Sequence, residues 1–194
     1  MTLQEAIMLR HSVRRYVHKP LSAEIIETLR KKIEECNAEG GLHIQLVTNE
    51  TRAFTGLFSY GKFSGVENYI VMVGRKADDL DERVGYYGEQ LVLLAQTLGL
   101  NTCWAGLSYR RVDEAYSVGN DEKLTCMIAL GYGATQGHKR KSKTAEQVSN
   151  VGSDSPEWFC KGVEAVLLAP TAINQQKFSL TLLPQDQGTG EKPK

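Results

Sequence analysis

The longest helical pattern in the sequence occupies residues 80–98, near the middle of the chain. Apolar side chains recur there at the spacing of one helix face, at Val84, Tyr87, Leu91, Leu94 and Leu98. Val92, Leu93 and Ala95 widen this apolar surface beyond what one face of a sheet usually covers. A helix of this kind is either central to its fold or part of a subunit interface, and we favour an interface.

Shorter patterns on both sides of this helix predict a chain of mixed helices and strands. Further helices are predicted over residues 3–10, 22–37, 108–119 and 155–168. Strands are predicted over residues 43–47, 69–73, 124–130 and 177–183. Thr2 and Glu5 form a capping box for the first helix, and Ser22 is the predicted N-cap of the second. Residues 101–106 are predicted as a loop, and the long segment 51–65 as either a mobile loop or a wall of a site.

Length and charge narrow the class of protein. With 194 residues, the chain is expected to form one domain over residues 1–184, followed by a polar, disordered tail over residues 185–194. Lys plus Arg and Asp plus Glu both number 23, so no overall field draws the protein to nucleic acid or to an anionic membrane. The longest apolar run is too short to span a bilayer, and the charged N-terminus is unlike a signal peptide. We therefore expect a cytoplasmic protein.

The four cysteines are far apart in the sequence, at Cys36, Cys103, Cys126 and Cys160. No two of them form a Cys-x-x-Cys pair, which argues against a zinc site and against a disulfide framework. We expect no metal and four reduced, mostly buried thiols. Cys103, beside Trp104, is interpreted as a core thiol rather than a nucleophile.

A cluster of cations and one hydroxyl follows the first predicted helix, in the run Arg10-His11-Ser12-Val13-Arg14-Arg15-Tyr16. Alternate side chains of an extended segment share a face, so Arg10, Ser12 and Arg14 would project together while Val13 enters the core. Planar guanidinium groups match the geometry of phosphate, which predicts a seat for a phosphorylated ligand. The alternative is ordinary charge at a helix C-terminus, which the helix dipole favours without any ligand.

Three further motifs accompany this cluster. They are the segment Gly99–Gly106, the turn Leu130–Gly133 with the basic run 139–143 behind it, and the segment Ala169–Phe178. Together with the Arg10 cluster, they resemble the signature segments of the FMN-dependent nitroreductase family. Most members carry the last motif after the second helix, where this chain has residues 36–41. The resemblance is therefore to an atypical branch, with the Ala-Pro-Thr-x-x-Asn-x-Gln motif at the C-terminal end.

The resemblance implies an α+β fold with a mainly antiparallel sheet flanked by helices, and a homodimer that binds FMN at its interface. It implies that the residues that bind FMN are Arg10, His11, Ser12, Arg14, Lys62, Ala105, Gly106, Lys139, Arg140, Pro170, Thr171, Asn174 and Gln176. Arg10, Lys139 and Arg140 are expected on the phosphate, with Lys141 as an alternative because the motif aligns loosely there.

The chemistry of a flavin suggests what several of these residues would do. Ser12 is expected along the tail of the cofactor. Arg14 or Lys62 would stabilise the negative charge that reduction leaves near ring atoms N1 and O2. The amides of Asn174 and Gln176 can satisfy ribityl hydroxyls and the pyrimidine edge, although a polar turn needs no ligand to explain them.

The implied activity is that of an NAD(P)H-dependent flavin oxidoreductase. NAD(P)H would deliver hydride and leave, and an electron-poor acceptor such as a nitroaromatic or a quinone would then take its place, in a ping-pong sequence. No side chain is expected to act as a nucleophile. Two alternatives stay open, namely a flavoenzyme of a different reaction, such as reductive dehalogenation, and a flavin-binding protein without turnover.

Overall fold

The computed structural model describes residues 1–56 and 62–183. The chain divides into two compact units, one from Met1 to Lys139 and one that begins at Arg140. The single domain expected over residues 1–184 stays a prediction. The expected tail, 185–194, and the centre of the predicted loop, 57–61, lie outside the described residues.

The first unit is built around one antiparallel sheet. It contains helices α1 (Leu3–Leu9), α2 (Ala23–Gly40) and α3 (Leu80–Thr97), and strands β1 (Gln45–Val47), β2 (Asn68–Arg75), β3 (Asn101–Ala105) and β4 (Glu122–Gly131). The strands lie in the order β1-β2-β4-β3, and each neighbouring pair is antiparallel. The predicted α+β fold with a mainly antiparallel sheet is confirmed.

The start of α1 and both ends of α2 follow from the sequence. Thr2 Oγ1 accepts the N–H of Glu5 at 3.2 Å, and the Glu5 carboxylate accepts the N–H of Thr2 at 2.8 Å, so the predicted capping box is confirmed. Ser22 caps α2 by accepting the N–H of Ile25. The helix ends where Gly41 adopts the left-handed conformation, with a φ of 58°, that glycine tolerates best.

Alternate side chains of β2 enter two separate cores. Tyr69 and Val71 belong to one core, while Ile70 and Met72 belong to the other. Helices α2 and α3 cover the second core, and irregular segments around Phe54 and Tyr116 cover the first. This alternation is the period-2 pattern of a strand buried on both faces.

Helix α3 lies at the centre of the first unit. Leu91, Val92 and Ala95 are fully buried in it, and α1 and α2 both pack against it. These neighbours cover much of the wide apolar surface that the sequence shows. The width of that surface therefore does not by itself require a second subunit.

The predictions for two segments between α3 and β4 are wrong. Residues 101–105 form the edge strand β3, not a loop, because they pair with β4 from Asn101–Gly131 to Ala105–Met127. Residues 108–119 form no helix. Their apolar side chains have helical spacing, but Val112 and Tyr116 pack as an irregular cover on the first core, where Tyr116 Oη accepts the N–H of Val112.

The second unit has a small core of its own. Its elements are α4 (Ala145–Val148), α5 (Glu157–Leu168) and a 3₁₀ turn (Ala172–Asn174). Val148, Phe159 and Val163 form the buried centre. The strand predicted over 177–183 is reduced to one bridge, in which the N–H of Leu180 donates to the carbonyl of Val148 at 2.8 Å.

A hydrogen-bonded carboxylate in the first unit makes the stability of that unit depend on pH. Glu122, at the start of β4, lies 3.0 Å from Nδ1 of His43 and accepts the N–H of Gly119 at 2.7 Å. The bond with His43, and then the bond with Gly119, lower the pKa of Glu122. A carboxyl group whose pKa is lowered on folding stabilises the fold above its unfolded pKa, and this contribution is lost as the pH falls through the folded pKa.

Glu122→Gln should therefore lower the free energy of unfolding at neutral pH by at most about 1 kcal/mol, the usual size for a partly exposed pair. The difference from the wild type should vanish in acid, below the pKa of Glu122, because both chains then carry a neutral side chain. Urea unfolding at neutral and acidic pH measures this difference. Glu34→Gln, at an exposed position of α2, is the control. A Glu122→Gln difference that stays constant with pH would contradict the prediction.

Candidate functional site

The segment that carries the Arg10 cluster runs alongside the free edge of β3. The N–H of Val13 donates to the carbonyl of Thr102 at 3.0 Å, and Ser12 forms a parallel bridge with Thr102. On its other side, the N–H of Ser64 donates to the carbonyl of Arg14 at 3.0 Å, and the N–H of Tyr16 donates to the carbonyl of Ser64 at 2.9 Å. Backbone bonds on two sides therefore hold this segment extended.

Two glycines press against the same segment. A Cβ on Gly65 would meet the carbonyl oxygen of Tyr16, closer than real Cβ atoms approach any heavy atom. A Cβ on Gly137 would lie 2.6 Å from the Cβ of His11. Both glycines also have a positive φ, 69° and 79°. The backbone can approach the cluster this closely because neither position carries a side chain.

Arg10 is the buried cation of the cluster. It is 8% exposed, and its Nε lies 3.7 Å from the carboxylate of Glu89 on α3. Among the described residues, Glu89 carries the one carboxylate that pairs with the Arg10 guanidinium. Its two terminal nitrogens therefore keep their N–H donors, in the fork geometry that binds phosphate or carboxylate.

Arg10, Ser12 and Arg14 all act on the thiol of Cys103. Burial raises the pKa of Cys103, whereas the charge of Arg14, a hydrogen bond with Ser12 and the charge of Arg10 lower it. All three predicted residues therefore influence the same thiol, and Val13 is buried as expected. His11 turns back instead, with Nδ1 2.8 Å from the carbonyl oxygen of Leu9.

Beyond Cys103, β3 carries Trp104 and Ala105 and is followed by Gly106. The indole N–H of Trp104 donates to Glu89 at 3.1 Å, and its ring packs against Gly88 of α3. Ala105 is buried, while Gly106 is exposed, with open space where a side chain would stand. The end of β3 can therefore be approached closely by a flat ligand.

The two lysines that the resemblance assigns in the first unit are exposed. Lys62 stands directly before Phe63, which is buried in the first core. Lys139 is the last residue of the first unit. The roles of both lysines toward a ligand stay predictions.

Arg140 binds backbone carbonyls at the C-terminal end of helix α5 in the second unit. Its two terminal nitrogens donate to the carbonyls of Leu167 at 2.6 Å and Ala169 at 2.8 Å, at the C-terminal end of α5. A cation that binds these carbonyls stabilises a helix C-terminus. These two bonds would have to be exchanged before the same nitrogens could hold a phosphate.

The amides of Asn174 and Gln176 are engaged within their own unit. Gln176 is buried, and its side chain accepts the N–H of Lys143 at 2.9 Å and donates to the carbonyl of Lys141 at 3.1 Å. Asn174 donates to the same carbonyl at 2.8 Å. The turn is strained, since Ile173, Asn174 and Gln176 all have a positive φ, and Ile173 is 92% exposed.

Pro170 and Thr171 lead into this turn. The hydroxyl of Thr171 accepts the N–H of Gln176 at 3.1 Å, so it closes the turn from within. Pro170 is half-buried after the end of α5. The roles that the resemblance gives to these residues toward a ligand stay predictions.

Sequence reasoning missed Glu89, which joins Arg10 to Trp104. A sequence signal existed, because Glu89 is a charged residue inside an otherwise wide apolar helix. Gly137 was also missed. It lies in a polar, irregular segment, where glycine is too common to stand out.

Neither a metal site nor a membrane span is found in the part of the chain that the structure describes. No group of three or more His, Cys, Asp or Glu side chains within residues 1–56 and 62–183 is placed to hold a metal ion. None of the helices there has the length and apolar content that a membrane crossing requires.

Solved structures of similar fold include several that are named as nitroreductases. A "putative nitroreductase" from Thermotoga maritima is 24% identical, with a TM-score of 0.64 over 94% of this chain and 72% of that chain. A "putative nitroreductase in complex with FMN" from Desulfovibrio desulfuricans is 16% identical, with a TM-score of 0.60 over 80% and 98%. An FMN-dependent nitroreductase from Clostridium difficile is 17% identical, with a TM-score of 0.55 over 77% and 98%.

These identities show a shared fold. A search of the curated proteins found no match. The family model described as "Putative TM nitroreductase" matches residues 2–188, which is nearly the whole chain. The chain therefore belongs to this nitroreductase family.

Proposed function

We propose that this protein is an FMN-dependent NAD(P)H oxidoreductase that reduces electron-poor acceptors such as nitroaromatics or quinones. The observation that carries the proposal is the buried guanidinium of Arg10. Its terminal nitrogens have no hydrogen-bond partner among the described residues, and a planar guanidinium fork matches the geometry of phosphate. A dianionic phosphate beside the Ser12 hydroxyl would complete the site.

The first unit offers a consistent set of groups for FMN. Arg10 and Ser12 would hold the phosphate, and Arg14, which is exposed on the same segment, would reach toward the ring. Ala105 and Gly106 would let the ring approach the end of β3. Lys62 and Lys139 are additional exposed cations for the ring and the phosphate.

The chemistry divides between the cofactor and the chain. When bound, FMN supplies reversible two-electron chemistry, taking hydride from NAD(P)H and passing electrons to an acceptor. Arg14 or Lys62 would stabilise the negative charge that reduction leaves at the pyrimidine edge. The chain need only orient the ring and leave one face open, so the two substrates can occupy that face in turn.

The C-terminal motif supports the assignment to an atypical branch of the family. Asn174 and Gln176 stand in a strained, partly exposed turn, and backbone strain of this kind concentrates at functional sites. Their amides would exchange the present bonds to Lys141 for bonds to a flavin. Whether the turn serves the flavin of its own subunit or that of a partner is a question that mixed dimers of variant chains can answer.

A homodimer is supported by apolar side chains left exposed on the first unit. Leu3, Met8 and Leu9 of α1 and Tyr86 of α3 are more than half exposed, which is unusual for so many large apolar groups on two helices that pack together. Light scattering of the purified protein should give the mass of two chains. Met8→Glu should shift the protein toward the monomer.

The purified protein should be yellow, or take up added FMN, and should oxidise NADH or NADPH when a quinone is present. Flavin released on denaturation, followed by titration with each nucleotide, measures both properties. A colourless protein that also fails to take up FMN would overturn the cofactor assignment. Flavin uptake without nucleotide oxidation would favour a flavin-binding protein without turnover.

A further inference from the structure

Glu89 occupies the point where three elements of the first unit meet. It lies on α3, its carboxylate pairs with Arg10 at the end of α1, and it accepts the indole N–H of Trp104 on β3. Each contact links Glu89 to a segment that the proposed function places at the flavin. Glu89 itself carries none of the roles assigned to the site so far.

The position of Arg10 depends on this carboxylate. The Arg10 side chain is 7% exposed, so its charge has lost nearly all contact with water. Such a buried cation needs an opposite charge to keep one orientation. Nε of the guanidinium lies 3.7 Å from the Glu89 carboxylate, and the two terminal nitrogens have no hydrogen-bond partner among the described residues.

The same carboxylate fixes the indole of Trp104. One side of the ring packs against Gly88, where any Cβ would overlap the ring, and the N–H is held by Glu89. The ring is therefore fixed both by packing and by a hydrogen bond. Loss of the carboxylate would release Arg10 and Trp104 together.

We infer that Glu89 is a positioning residue, which aims the Arg10 fork at the phosphate of the cofactor and locks Trp104 beside it. This inference rests on the proposed function. It predicts that Glu89 matters for ligands that carry a phosphate, through Arg10. It also predicts that Glu89 has no contact with the ligand.

Glu89→Gln separates charge from hydrogen bonding, because a glutamine oxygen still accepts the Trp104 N–H. This variant should lose about tenfold or more in FMN affinity, as is typical when a group that orients a ligand-binding residue is removed. Its affinity for riboflavin, which lacks the phosphate, should stay within about twofold of the wild type, since Arg10 would contact only the phosphate. Its near-ultraviolet circular dichroism should keep the signal of Trp104, whereas Glu89→Ala should lose that signal as well as FMN affinity.

Glu82→Gln is the matched control, because Glu82 is exposed in the first turn of the same helix. It should bind FMN and riboflavin as the wild type does. Equal or higher FMN affinity in Glu89→Gln would overturn the inference, since it would show that Glu89 merely offsets the charge of Arg10. An equal loss for riboflavin would also overturn it, because the effect would then be structural.

A readout without flavin keeps this inference distinct from the proposed function. Inorganic phosphate should raise the melting temperature of the wild type, and the rise should be smaller in Glu89→Gln. If the wild type binds neither flavin, the proposed function fails, and the phosphate experiment still tests the link between Glu89 and Arg10. Equal stabilisation of both chains by phosphate, or of neither, would overturn the link.

Discussion

Arg10→Ala should weaken FMN binding by roughly 2 to 5 kcal/mol, the range for loss of a buried charged contact. This loss of binding free energy is expected because Arg10 is buried and because its two terminal nitrogens are not used in the pair with Glu89. Titration of the flavin-free protein with FMN, followed by flavin fluorescence, measures the loss. Because alanine also leaves the Glu89 carboxylate without its cation, the folded fraction is checked by circular dichroism in the same samples.

Arg15→Ala is the matched control for this experiment. Arg15 is an arginine of the same extended segment, but its side chain is exposed and lies at the alternate position. It should bind FMN almost as the wild type does, whereas Arg10→Ala should lose FMN affinity while keeping its affinity for riboflavin. Unchanged FMN affinity in Arg10→Ala would show that the cluster is ordinary charge at a helix C-terminus, without a role in binding a ligand.

The sequence predicted the burial of Val13 in this segment because side chains of any extended chain alternate between two faces. Alternation in an extended chain is enough to predict that Val13 enters the core, and Val13 is buried. The partner of Arg10 could not be predicted in the same way. Glu89 is 79 residues away along the chain, and only the packing of α1 on α3 brings the two side chains together.

Long-range pairing also explains the errors in the fold. Residues 101–105 contain few strong strand formers, yet β4 and the Arg10 segment lie on either side of them and supply backbone partners. Tertiary pairing of this kind overrides local preference. Helices α1, α2, α3 and α5 were predicted because their caps and apolar spacing are local signals.

The C-terminal motif predicts the local structure of its residues but not the partners of their side chains. The sequence indicates that Asn174 and Gln176 stand in a polar turn after a helix, and the structure agrees. It does not indicate that Lys141 and Lys143 supply partners for their amides. Whether a polar side chain is available to a ligand depends on these partners, and a single sequence does not reveal them.

Gly65→Ala should destabilise the protein by about 2 to 5 kcal/mol. About 1 to 2 kcal/mol comes from placing a side chain at a positive φ, and a further 1 to 3 kcal/mol, roughly, from overpacking. The overlap is severe because the atom that the new Cβ would meet is the backbone carbonyl oxygen of Tyr16, not the end of a flexible side chain. Urea unfolding measures the loss.

Gly99→Ala separates the two causes, because Gly99 has a similar φ of 77° but open space around the position of a Cβ. It should cost only the conformational part, about 1 to 2 kcal/mol. In Gly65→Ala, the carbonyl of Tyr16 must move, and the Arg10 segment must move with it, so FMN affinity should fall in that variant and not in Gly99→Ala. Equal losses of stability in the two variants, with FMN affinity unchanged in both, would show that the segment does not depend on this close contact.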